Sequence, residues 1–424
     1  MFNAVAFQIM MGAPIILFSK SLGASSTVLG IVAAFTPLMT VMQLPAARFL
    51  DRCSYRQFVL VGWGARTIFI FVVAAIPLLG FLDELSKLCS LLAVLFVFNL
   101  LRGISSAGFM PWIAAIIPEP SRGRFIAFDQ FFMYLGSLFA LVVSAIVMTG
   151  HVDNWEYSLV FLVSAFGGTL SLYFIKRIPD APVGDVTSRS AQAVPWMAMI
   201  QYAPFFQLLV FNLLFMVVIG GVGVFSVEYL REFPDFQPDL ILYLSGVTFL
   251  GPILSLLLTG RVIDQVGSKP VLRWALCGFV VVITGWWLVA AGVIPCTIWV
   301  IAVINFLAGL AGANFNLANL RITMSTIPEM GRNHFFALFT VITSLGLGGA
   351  PIVWGVSLDA IGTYEWVTDW FTWRRHSIYF AALIPPLLYA IWLINALHEP
   401  KSGESPEGTL HYAKLKRLAK HWQR

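Results

Sequence analysis

Long apolar runs separated by short polar breaks fill the chain from residue 2 to about residue 397. A helix that crosses a bilayer needs about 20 mostly apolar residues. By that measure the pattern predicts twelve spanning segments, at 2–18, 26–49, 57–80, 88–116, 123–149, 157–176, 204–229, 239–262, 270–292, 296–326, 333–359 and 376–397. The breaks are polar, as in Asp83-Glu84-Leu85-Ser86-Lys87 and His151-Val152-Asp153-Asn154-Trp155-Glu156. The longest, 177–203, holds Pro179, Asp180, Pro182, Gly184, Asp185, Ser188, Arg189 and Ser190, which is linker composition at mid-chain. The predicted organisation is a six-helix bundle at 1–176, a linker at 177–203, a second six-helix bundle at 204–397 and a basic tail at 398–424.

Composition turns the pattern into a class. Hydrophobic residues make up 59% and charged residues 11%, and the mean hydropathy is +0.84. An ordinary soluble domain is about 45–50% apolar and about 25% charged, so the chain reads as an all-α polytopic membrane protein whose medium is the lipid bilayer. The net charge of +5 does not point to nucleic acid, because the bases are sorted by loop. One set of breaks carries Arg48, Arg52, Arg56, Arg122, Arg124, Lys176, Arg177, Arg189, Arg261, Lys269, Arg273 and Arg332; the alternate set carries Lys20, Lys87, Arg231, Arg374 and Arg375. The positive-inside rule makes the first set cytoplasmic, with both termini on that side, as in a bacterial inner (plasma) membrane.

The N-terminal segment lacks the basic start of a cleavable signal. About 17 residues at 1.5 Å each reach about 25 Å, short of a core about 30 Å thick, so either the helix is tolerated short or, the slightly favoured expectation, the native start lies upstream of Met1. In the tail, Leu415, Leu418 and Trp422 share a helical face amid Lys414, Lys416, Arg417 and Lys420, which suits either a helix on an anionic leaflet or a frayed basic end. Cys53, Cys89, Cys277 and Cys296 show no metal or CxxC spacing and read as free thiols. No phosphate loop, metal spacing or paired nucleophile and base is present, so neither an enzyme nor a cofactor is expected. The glycine-rich run Gly346–Pro351 lies in an apolar segment and reads as close helix packing.

The chain also repeats itself. Ala47-Arg48-Phe49-Leu50-Asp51-Arg52-Cys53-Ser54-Tyr55-Arg56 returns as Gly260-Arg261-Val262-Ile263-Asp264-Gln265-Val266-Gly267-Ser268-Lys269, with Asp51 and Asp264 213 positions apart. Pro118 and Glu119 return as Pro328 and Glu329, and Gly136 as Gly346, all 210 apart; Asn99 and Gly103 return as Asn305 and Gly309, 206 apart. Six segments per copy, with the signature loops on one side, make the copies parallel, related by an axis along the membrane normal.

The first loop resembles the signature of the major facilitator superfamily: a small residue (Ala47), Asp51-Arg52, a small residue (Ser54) and a base (Arg56). The second copy supplies Gly260, Asp264, Gly267 and Lys269. Ala47 replaces the usual glycine, and Gln265 replaces the arginine after the second acid. The arginine motif of drug–proton antiporters is matched poorly around Arg102, and their Gly-Pro motif is absent from the fifth segment. The resemblance implies the superfamily fold, twelve transmembrane helices in two pseudo-symmetric six-helix bundles that rock about a midplane site. It also implies a gate in which Asp51, with Arg52 and Arg56, latches onto the start of the eleventh helix, and Asp264, with Lys269, onto the fifth. The implied function is transport of a small polar organic solute, anionic if Arg102 faces the cavity, by a monomer. A non-transporting receptor or assembly factor on the same scaffold and a flippase for lipids or amphiphiles are the alternatives.

Charge inside a membrane is costly, so each instance is a functional hypothesis. Arg102 lies near the middle of the fourth segment, which lines the cavity in the resembled fold, and could hold a carboxylate or phosphate; the bland alternative is a structural arginine paired within its own half. Arg66 reads as structural, and Arg321 as a cavity-mouth or positive-inside charge. In the tenth segment Asn305, Asn316 and Asn319 share a face and Asn314 points elsewhere, either to bind hydroxylated solutes or to glue helices. Gln8, Gln130, Asn212, Phe109 and Trp112 complete the expected lining. Asp129 is the candidate coupling carboxylate. Glu228 and Asp359 fall at segment ends, and every histidine, His376 included, falls in a loop, a segment end or the tail.

Overall fold

The computed structural model describes residues 1–50, 53–150, 152–180, 195–328, 330–368 and 370–397; the basic tail lies outside them. Among these residues twelve helices are long and apolar enough to cross a membrane. They are α1 (Phe2–Ser21), α2 (Ser26–Ala47), α3 (Tyr55–Leu78), α4 (Glu84–Ile116), α5 (Glu119–Val147), α6 (Asn154–Ile175) and α7 (Ala203–Leu230). After these come α8 (Pro238–Val247, then Leu250–Val266), α9 (Ser268–Ala290), α10 (Ile298–Thr326), α11 (Arg332–Ile361) and α12 (Arg375–Ala396). Local chemistry sets the ends. Ser25 and Ser54 cap α2 and α3 by accepting from the Val28 and Gln57 amides, and the Glu156 carboxylate accepts from the Asp153 amide ahead of α6. Between α8 and α9 the chain turns at Gly267, whose φ of 88° favours glycine.

Arg48, Arg56, Arg124, Lys176, Lys269 and Arg332 gather at one end of the bundle, called the basic end below. Lys20, Glu228, Asp359 and Arg375 gather at the far end. There a two-stranded hairpin, β1 (Trp366–Val367) and β2 (Thr372–Trp373), joins α11 to α12 and is tied down by the Thr372 amide donating to the Ala291 carbonyl at 2.8 Å. Strands this short carry no readable period, and the sequence pattern gave no sign of them.

The echoes in the sequence are junctions built twice. Asn99 in α4 accepts from the Thr36 hydroxyl of α2 at 2.9 Å, and Asn305 in α10 donates to the Leu244 carbonyl of α8 at 3.0 Å. A methyl group at Gly103 would strike the Met39 carbonyl of α2; one at Gly309 would strike the Thr248 carbonyl of α8. Gly136 lies against the α1 backbone at Met1 and Gly346 against Leu213 of α7. Thus α4 sits on α2 as α10 sits on α8, and α5 on α1 as α11 on α7. Absent side chains let backbones approach where no hydrophobic effect drives helices together.

The halves meet mainly along α2 and α11. Gly30 lies against the Pro351 carbonyl, Gly355 against the Ser26 carbonyl, and Gly348 against Leu38 and Pro37. A second seam runs between α5 and α8, where Gly246 faces Leu138 and the rings of Tyr134 and Phe249 are 6.4 Å apart.

All four cysteines are free. Burial pushes the thiol of Cys296, just before α10, up to about 11. At pH 8 only about 0.1% of such a thiol is thiolate, the reactive form. Maleimide labelling of Cys296, followed by peptide mass spectrometry, is therefore expected to be slow at pH 8 and to quicken about ten-fold per pH unit towards that value.

Candidate functional site

Within the described residues four helices break inside their spans, α2 at Val41–Met42 among them. α1 is interrupted at Gly12, where the backbone is extended (φ −103°, ψ −156°). Pro14 then has no amide hydrogen to give the Met10 carbonyl. α7 is interrupted at Gly220–Gly221, and α8 at Thr248–Phe249. Irregular backbone at membrane depth is tolerated where it is buried in protein or lines a cavity. Here Gly12, Gly220, Thr248 and Phe249 all line one cavity of about 500 Å³. Gly12 and Gly220 are 208 positions apart. Glycines that interrupt corresponding apolar segments of the two halves are a signal in the sequence that could have found this site.

The polar lining is Gln8, Ser226, Ser245, Thr248, Asn305 and Asn316; the aromatic lining is Tyr134, Phe249, Phe279 and Trp286. No carboxylate, amine, guanidinium or imidazole lines the cavity among the described residues. Gln8, Asn305 and Asn316 thus come together from α1 and α10. The other sequence candidates sit elsewhere. Asn319 donates to the side-chain oxygen of Asn212 at 2.7 Å, and Asn212, fully buried, donates to the Leu208 carbonyl, so this pair joins α7 to α10. Asn314 meets Ser255 of α8. Trp112 is fully buried near the basic end and donates to the Pro179 carbonyl at 3.0 Å. Asp129 is exposed and Gln130 half-buried on α5.

Arg102 points into the first half. It donates to the Thr36 carbonyl at 2.8 Å and the Thr40 hydroxyl at 3.0 Å, and its Nε is buried with no hydrogen-bond partner. Arg66 lies 4.4 Å from the centre of the Phe7 ring, with Arg102 5.8 Å from it, and Arg66 donates to Asn3 at 2.6 Å. Among the described residues neither arginine pairs with a carboxylate. At the basic end, Arg56 donates to the Lys176 carbonyl and its amide donates to Asp180, tying α3 to α6. Lys269 lies in the first turn of α9. Asp51 and Arg52, and the side chain of Asp264, lie outside the described residues.

The cavity opens toward the basic end. The face of α10 that carries Asn316 continues as Leu320 and Met324, all exposed at four-residue spacing. Residues 124–129 of α5 are all exposed, so that helix is bare on every side there. At the far end the halves are bolted together. Glu228, at the end of α7, has a fully buried carboxylate that accepts from Lys20 at 2.9 Å and from the Ser26 hydroxyl at 2.8 Å. Asp359, at the end of α11, caps α2 by accepting from the Ser26 and Thr27 amides at 3.1 and 2.8 Å. The sequence marks these acids only as segment ends, because their partners lie across the bundle and more than 200 positions away.

A sequence search of the curated proteins gave no match. Solved structures share the architecture. A D-xylose–proton symporter matches with a TM-score of 0.72 at 14% identity, over 95% of this chain and 97% of that one. The inward open conformation of the xylose transporter XylE from E. coli matches with a TM-score of 0.70 at 14% identity, over 98% of each. The nucleoside transporter NupG matches with a TM-score of 0.65 at 12% identity, over 94% of this chain and 98% of that one. Identities this low speak for the fold alone. The sequence itself matches the Major Facilitator Superfamily profile over residues 1–236 and again over 233–423. With that match spanning both copies of the six-helix unit, the chain belongs to the major facilitator superfamily.

Proposed function

We propose that the protein carries a small, uncharged polar solute across the membrane by alternating access, working as a monomer with its basic end in the cytoplasm of a bacterial cell. Family and fold support transmembrane transport. The observation that carries the substrate class is the cavity lining: amides, hydroxyls and aromatic faces, with no charged group among the described residues. Amides donate and accept at once, which matches a hydroxylated solute, and aromatic faces cover the apolar side of a sugar or nucleobase ring. The structural relatives named for xylose and for nucleosides agree with this class. In this reading the structure is the state open to the cytoplasm. A second reading, an anionic solute, is favoured by the buried and unpartnered Nε of Arg102.

The test is a thermal-shift screen of the purified protein against sugars, nucleosides and organic anions, followed by flux into liposomes. A ligand at one hundred times its Kd stabilises by about 2.7 kcal/mol. A neutral solute is expected to shift the parent and Arg102→Ala alike and to lose its effect in Asn305→Ala. An anion that shifts the parent but not Arg102→Ala selects the second reading. Ligand binding without flux would turn the protein into a receptor on a transporter scaffold, and movement of labelled lipid would turn it into a flippase.

A further inference from the structure

Beside the far-end bolt lie two polar atoms with nothing to bond. Glu228 uses Oε1 for Lys20 and Ser26, while its Oε2 is buried without a partner. His376, in the first turn of α12, is only 2% exposed, and its Nε2 is also buried without a partner. These two atoms are 4.0 Å apart. The other imidazole nitrogen, Nδ1, lies 3.6 Å from Glu232. A polar cleft of about 560 Å³ reaches this imidazole, lined among others by Glu232, Asp359, Glu365, Arg374 and Arg375. A proton from the far side therefore has a route to two atoms that lack a partner.

The surrounding charges change when the bolt opens. α1 brings Lys20; α7 brings Glu228, with Glu232 just beyond its end; α11 brings Asp359; α12 brings Arg375. Tyr229 lies tilted against the imidazole with ring centres 5.3 Å apart, Tyr379 lies one turn along α12, and Cys296 is close to Tyr229; none of the three carries a charge near pH 7. Arg374 is matched by Glu365. Three carboxylates thus face two cations while the halves are bolted. When the far end opens, Lys20 and the Ser26 hydroxyl leave with the first half, and the same three carboxylates face Arg375 alone. The open arrangement holds a proton more tightly than the closed one. Binding is reciprocal, so the proton must in turn favour opening.

We propose that Glu228 and His376 form a proton site that releases the far-end bolt. The proton enters through the cleft onto Nε2, and the resulting N–H donates to Oε2 of Glu228. The carboxylate, now shared with an imidazolium, holds Lys20 less firmly, and the halves part at that end. Closure requires the proton to leave. This rests on the alternating-access reading, but only on its motion and not on its solute.

The test measures that motion directly. With the native cysteines replaced by serine, spin labels at Ser21→Cys and Thr363→Cys report the far-end separation in nanodiscs. Between about pH 8 and about pH 5.5, where an imidazole released from Lys20 in the open arrangement changes charge, the wide-separation population is expected to rise about ten-fold, within the usual range of allosteric coupling. In Glu228→Gln it is expected to be wide at both pH values. In His376→Asn it is expected to be narrow at both, because Lys20 and Glu228 still pair. A parent whose separation ignores pH, or a His376→Asn variant that responds to acid as the parent does, overturns the proposal. If the separation follows pH as expected but no solute is carried, the proton site stands and the transport reading falls.

Discussion

Gly103→Val is expected to cost about 3 kcal/mol of stability, the upper part of the range for forcing volume into a packed interior. A β-carbon at this position would overlap the carbonyl of Met39, and the obstacle is backbone. A side chain can turn away, but here α2 as a whole must shift from α4. The same shift would disturb the Asn99–Thr36 hydrogen bond, one turn away, and the seat of the adjacent Arg102 on Thr36 and Thr40. Thermal unfolding of the purified protein in detergent measures the loss. Gly64→Ala in α3 is the matched control. It has no atom within 4 Å of the added carbon and should be neutral or gain about 0.5–1 kcal/mol from helix propensity. Equal loss in both variants would show that the α2–α4 approach is not what holds the first half together.

Gly30→Val is expected to leave each half folded and yet stop the cycle. The added atoms would meet the Pro351 carbonyl of α11, one turn from the Ser26–Asp359 cap, where the halves come closest at the far end. The strain exists only while that end is closed. If closure carries about 3 kcal/mol of overpacking, the closed population falls about 100-fold relative to the open one. The Ser21–Thr363 separation should then be wide at every pH, and solute flux should fall with it, while the melting temperature stays within a few degrees of the parent. Gly349→Ala on α11, with no atom within 4 Å of the added carbon, is the control. A narrow separation in Gly30→Val would mean that α2 and α11 tolerate a side chain between them, and that rocking does not depend on their close approach.

The twelve spans were legible in the sequence because hydrocarbon admits few alternatives. A run must be long and apolar, and no predicted boundary is off by more than about four residues, roughly one turn. The duplication was legible too, and the structure gives its echoes a physical content. Gly103 and Gly309 recur because α2 and α8 need the same clearance. The face a side chain takes was less legible. Asn305 and Asn316 line the cavity, but Asn319, on the same helical face by angle, bonds to Asn212. A 100° wheel ignores that α7 leans on α10 at that level. Least legible was the far-end bolt. Glu228, Asp359 and His376 look like ordinary helix-end groups until the fold brings Lys20 and Ser26 across to them. Local pattern carries no information about partners that distant.

The breaks in α1 and α7 bear on how such a carrier avoids becoming a pore. Beyond each break is a nine-residue piece, Ala13–Ser21 in one half and Val222–Leu230 in the other, and these pieces carry Lys20 and Glu228. A rigid helix would transmit any tilt at the far end straight to the basic end. A helix jointed at glycine can swing its upper piece while its lower piece stays in place. The two doors can then move in succession, and an occluded state with both shut around the solute becomes reachable. Distances measured within α7 across Gly220–Gly221 should change through the cycle if the joint works, and should stay constant if the halves turn as solid bodies.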